Sequence, residues 1–178
     1  MSAKHETSSF ESAHIPVPRQ VAVAVAYRFI TSSDHVQPRV EYLIVSSRKH
    51  PASWVLPKGG VEANEISDHG SAALREAWEE GGIRGKVVDR LHESTDPKAH
   101  RAVTKLKIFI PRAEYSFWLI RVDEDQMGLD SASWPEKHER ERRWVGREEA
   151  IELVRWREDG AVDALMKVDE TALVHSSP

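Results

Sequence analysis

Between Gly59 and Ile83, two glycine pairs bracket a stretch patterned as a loop running into a helix. Glycine frees the backbone from the limits a Cβ imposes, so Gly59-Gly60 should end regular structure and a loop should follow. Ser67 or Asp68 is placed to cap a helix whose body is Ser71 to Glu80, and Gly81-Gly82 stop it; Gly70 weakens its first turn slightly. At ~100° per residue, Glu76, Glu79 and Glu80 fall within roughly a 100° arc. Ala73 and Ala77 give the same helix a small apolar face for tight packing, and Trp78, on the side opposite the glutamates, reads as core. The fold must therefore seat this helix closely while keeping three carboxylates together.

The flanking elements supply a sheet. Val21, Val23 and Val25 alternate with alanines ahead of Tyr27 and Phe29, a period-2 strand with small residues on one face. Glu41 to Ser46 is a second strand, joined to the first through the polar tip Thr31 to Arg39 as a hairpin. Lys86 to Leu91, Tyr115 to Val122 and Arg142 to Val145 read as further strands, and Lys98 to Lys107 as a loop or extended hairpin arm. After Gly146, Glu148-Glu149 suit a helix N-terminus, with Ile151 and Val154 at helical spacing. A second helical stretch runs from about Val162 to Leu173. The class expected is α/β (α+β), a mixed sheet sandwiched between helices. The organisation expected is a flexible arm over 1–17 and one domain over 18–174.

Composition removes several classes of function. The chain of 178 residues is 40% hydrophobic and 30% charged, and no apolar run approaches the length needed to span a bilayer. There is no cysteine, so any metal must be held by oxygen or histidine ligands. A formal charge of −4 disfavours nucleic acid as a general partner. Charge is nonetheless uneven: Lys98, Arg101, Lys105, Lys107 and Arg112 form a basic stretch without an acid, compatible with an anion site. The polar start of the chain lacks the apolar centre of a secretory signal, which favours the cytoplasm, with the nucleus and export left open. Oligomeric state is left open as well.

The three glutamates carry the sharpest chemistry. Like charges at i,i+4, close to a helix C-terminus, oppose one another and the macrodipole. A Glu-rich helix is most often a solvated face. The alternative is a hard divalent cation, Mg²⁺ with Mn²⁺ as a substitute, which takes carboxylate oxygens and leaves positions for water and phosphate. Arg75, one turn before Glu79, can hold that carboxylate by a paired hydrogen bond.

Gly59 to Ile83 resembles the Nudix box: a glycine, five residues, a glutamate, seven residues, then Arg-Glu-U-x-Glu-Glu-x-Gly-U with U aliphatic. Arg75, Glu76, Ala77, Glu79, Glu80, Gly82 and Ile83 match its second half, and Gly59 and Glu65 its first. Nine residues, not seven, separate Glu65 from Arg75. Either Glu62 or Glu65 can then take the role of the first glutamate. The resemblance implies the Nudix fold and hydrolysis of a phosphoanhydride. Divalent ions would be held by Glu76, Glu79 and Glu80 with help from the Gly59 or Gly60 carbonyl, and Glu79 or Glu76 would act as base.

Trp54 to Glu62, Arg75 to Glu80 and Pro111 to Phe117 are similar to the fungal diphosphoinositol polyphosphate phosphohydrolases. This implies inositol pyrophosphates and diadenosine polyphosphates as substrates, so the expected partner is a polyphosphorylated small molecule. Such a ligand needs many cationic donors, and Arg grips phosphate bidentately. The candidates are Arg19, Arg48, Lys49, Lys58, Arg101, Lys105, Arg112, Arg140 and Arg142; Arg19 and Arg112 fall where the subfamily places phosphate-binding residues. Trp54, Trp134 and Trp156 could instead stack a base. The competing readings are a Nudix enzyme for ADP-ribose, a nucleotide sugar or capped RNA, and a Nudix-fold sensor without turnover.

Overall fold

A computed structural model describes residues 15–31, 38–100, 108–122 and 133–175. The expected arm over 1–17, the hairpin tip and the basic loop lie largely outside these residues. Seven strands form one mixed sheet: β1 (Arg19–Ile30), β2 (Arg39–Ser46), β3 (Trp54–Val55), β4 (Lys58–Gly60), β5 (Gly85–Thr95), β6 (Ala113–Val122) and β7 (Arg142–Val145). The order is β3-β2-β1-β6-β5, with β4 also pairing β1 and β7 pairing β2. β1 and β6 run parallel and the other pairs antiparallel. The helices are α1 (His69–Gly81), α2 (Arg147–Val154), α3 (Ala161–Met166) and α4 (Glu170–His175). None of the described helices is long and apolar enough to cross a membrane.

The alternation in β1 decides how the layers stack. Ala22, Ala24 and Ala26 face α1 and meet Ala72, Ala73 and Ala77, so small residues on both sides let helix and sheet approach closely. Val21, Val23, Val25 and Tyr27 face the other way, into a larger core with Tyr42, Ile44, Phe117 and the Ala150, Val154, Ala164 and Leu165 of α2 and α3. The sheet is thus sandwiched between helices, as the sequence predicts.

Three expectations are corrected. Gly59-Gly60 are themselves strand, although the expected loop does follow them; with Lys58 they form β4, pairing Val21 to Gly60 and Val23 to Lys58. β1 is long enough to pair β2 along its C-terminal half and β4 along its N-terminal half. The single helix expected over Val162 to Leu173 is broken at Lys167 to Asp169, where the Asp169 carboxylate accepts from the Ala172 N–H and begins α4. Trp78 is half-buried instead of core, with the Arg84 guanidinium stacked over it at 4.5 Å. Asp68, one of the two expected caps, does cap α1 by accepting from the Ser71 N–H at 3.2 Å, and Gly82 closes the helix at φ 65°.

Candidate active site

α1 is not a solvated acidic helix. Glu76 and Glu80 lie on its buried side with Ala73 and Ala77, only 7% and 5% exposed. Burying a carboxylate is costly unless it is paired. The Glu76 carboxylate sits where a Cβ on Gly59 would be, so β4 must carry glycine for the helix to seat. Arg75 donates to Glu76 at 2.6 Å, while Glu80 accepts from Arg140 and from the Lys58 backbone N–H at 3.0 Å. Burial pushes both carboxyls above their ordinary value, and the neighbouring cations, Arg75 for Glu76 and Arg140 for Glu80, pull them back. Glu79, whose side chain is 35% exposed, accepts from Arg75 at 3.1 Å.

Arg75 is the hub. Its guanidinium forks onto both oxygens of Glu65 at 2.9 Å each and donates to the Gly60 carbonyl at 2.8 Å. These bonds hold Glu65 below the usual carboxylate range, with the Glu62 N–H adding a bond. Glu62 is exposed, so of the two candidates left open by the longer loop, Glu65 is the one built into the network. Among the described residues no three acidic or histidine side chains converge on a single ion position: Glu76 and Glu79 turn to Arg75, and Glu80 to Arg140.

All three glutamates, with Gly59 and Gly60, line one cavity of about 380 Å³. Arg19, Arg48, Lys49, Lys58 and Arg140 line it too. Their situations differ. The Arg140 side chain is 7% exposed and bound to Glu80, Glu136 and the Ser46 carbonyl, so it positions a carboxylate instead of waiting for a phosphate. Lys58 is half-buried beside Asp159 at 3.7 Å, and desolvation lowers its pKa against the pull of that acid. Arg48 bridges Glu136 and Glu139 at 2.9 and 3.2 Å. Lys49 is exposed.

Arg142, expected at the substrate, is a structural residue: it donates to the Gly81 carbonyl at 2.8 Å and stacks over Trp134 at 4.4 Å, away from the cavity. Arg112 lines a neighbouring cavity, and its Nε donates to the Ala99 carbonyl. Arg101 and Lys105 lie outside the described residues. Trp134 is buried against Gly82 and offers no platform for a base. Sequence reasoning missed Tyr115, Glu136 and Arg157 as cavity walls. Each lies far along the chain from the glutamate helix: β6 carries Tyr115 beside β1, a backbone hydrogen bond to the Glu79 carbonyl draws Glu136 in, and the turn after α2 carries Arg157.

The NUDIX domain model matches residues 19–165, and the chain belongs to that family. Among curated relatives, Nudix hydrolase 17, mitochondrial, of Arabidopsis thaliana is 34% identical over 151 residues, 84% of this chain and 74% of the relative. Nudix hydrolase 21, chloroplastic, of the same plant is 32% identical over 136 residues, 76% of this chain but only 59% of the relative. Human diphosphoinositol polyphosphate phosphohydrolase 3-alpha is 44% identical over 64 residues, covering 34% of this chain and 37% of that protein. A Caenorhabditis elegans Ap4A hydrolase binary complex superposes with a TM-score of 0.55 at 22% identity, over 89% of this chain and 99% of that one, a likeness of fold.

Proposed function

We propose that the protein is a Mg²⁺-dependent phosphoanhydride hydrolase whose substrates are diphosphoinositol polyphosphates and diadenosine polyphosphates. One observation carries this: three helix carboxylates and a set of cations share the walls of a single cavity. An oxygen-only donor set of Glu76, Glu79, Glu80 and the Gly59 carbonyl suits Mg²⁺, or Mn²⁺ in its place. When bound, the ion supplies Lewis acidity and offsets charge on the anhydride oxygens. Arg75, fixed by Glu65 and Gly60, holds Glu76 and Glu79 together at the cavity wall. Glu79, the most exposed of the three carboxylates, is the group we assign to take the proton of the attacking water. Arg19, Arg48, Lys49 and Lys58 bind the remaining phosphates, while Arg140 keeps Glu80 in register.

The substrate reading draws on the short, closely matching stretch shared with the human diphosphoinositol polyphosphate phosphohydrolase and on the cation-rich lining. Phosphate release from a diphosphoinositol polyphosphate with Mg²⁺ should exceed turnover of ADP-ribose and of a capped oligonucleotide. Preference for either of the latter would overturn the assignment. Tight binding of all three without turnover would identify a sensor.

A further inference from the structure

Resting on the hydrolase reading above, we infer that the cavity beside the site is a nucleobase subsite with Trp156 as its platform, so that a dinucleoside polyphosphate lies across both cavities. The second cavity measures about 390 Å³ and meets the first at Lys49, Tyr115 and Arg157, which line both. A linear polyphosphate leading away from the glutamates therefore passes between two cations before it reaches Trp156.

Trp156 lies just beyond α2, where the chain turns toward α3. Trp156 is 41% exposed, yet it is held: the indole N–H donates to the Trp54 carbonyl at 2.8 Å, His50 packs edge-to-face with it at 5.3 Å, and the Arg157 guanidinium lies over the ring at 5.5 Å. A large apolar ring fixed in place and part-exposed inside a concavity is suited to stacking a base, because every base presents a π face.

The rest of the lining selects the ligand class. Asp96, Glu158 and Asp159 offset three of the four cations in the lining, Lys49, Lys98, Arg112 and Arg157, so among the described residues it lacks the strong positive excess a second cluster of phosphates would need. Carboxylates repel phosphate, but they accept hydrogen bonds from exocyclic amines and ribose hydroxyls. An inositol polyphosphate, anionic around its whole ring, stops in the first cavity; a nucleoside arm enters the second. Trp156 thereby separates the two substrate classes of one active site.

Calorimetric binding of a methylene-bridged diadenosine tetraphosphate and of inositol hexakisphosphate, each with Mg²⁺, tests this. Trp156→Ala should weaken the diadenosine analogue about tenfold relative to inositol hexakisphosphate, and Trp156→Phe should restore most of the loss, as stacking on any aromatic face predicts. An unchanged ratio, parallel weakening of both ligands, or no binding of the analogue by the wild-type protein would overturn the subsite. Turnover separates the two claims: Trp156-dependent binding without hydrolysis of any anhydride would refute the hydrolase and leave the subsite standing.

Discussion

Arg75 makes more of the site's geometry than any other side chain, because one planar guanidinium satisfies Glu65, Gly60, Glu76 and Glu79 together. Lysine carries the charge without the fork. Arg75→Lys should lower kcat about a hundredfold, by the usual effect of misplaced catalytic groups. It should also cost about 1–3 kcal/mol, which steady-state kinetics and urea denaturation would measure. Glu65 gives a pH signature. Its folded-state pKa is depressed below the ordinary 4.5 by the hydrogen bonds from Arg75. Its contribution to stability is thus complete above the unfolded value and lost as pH falls through the lower folded one. Glu65→Gln should flatten that acid limb in a series of thermal melts, and an unaltered limb would show the pair contributes nothing. The box residues were legible because their spacing is a pattern in the chain itself. The roles of Arg140 and Arg142 were not: composition counts a positive charge but does not reveal that Glu80 or the Gly81 carbonyl already claims it.

At the scale of elements, α1 owes its position to glycine at both ends of the close approach. Gly82 holds φ 65° and lies against Trp134, which a Cβ would overlap. Gly82→Ala should therefore destabilise the protein by about 1–3 kcal/mol through left-handed strain and overpacking, read as a lowered Tm. Residue pattern located β1, β2, β7 and α2 well: β1 and β2 are apolar runs buried on both faces, and α2 buries Ala150 and Val154 at helical spacing. It failed for β4, where two glycines read as a loop although their backbone is clamped to β1 and their missing Cβ atoms make room for Glu76 and Arg19. It also understated β5: this strand extends to Thr95 with mostly exposed side chains and is ordered by its pairing with β6, not by a pattern of its own.

For the molecule as a whole, the sheet brings a buried acidic helix and cations from distant segments to one cavity in a chain of net charge −4. Exposed cations such as Arg48 and Lys49 act at long range and are screened by salt. KM for a densely charged substrate should accordingly rise with ionic strength while kcat changes little, as a salt series of initial rates would record. The decisive measurement is a crystal grown with Mn²⁺ and a non-hydrolysable diphosphate substrate analogue, scanned for anomalous scattering. An ion about 2.1–2.2 Å from carboxylate oxygens of Glu76, Glu79 and Glu80 and from the analogue's phosphate oxygens is the expected result. Those glutamates still paired with Arg75 and Arg140, with the analogue bound and no scatterer among them, would contradict it.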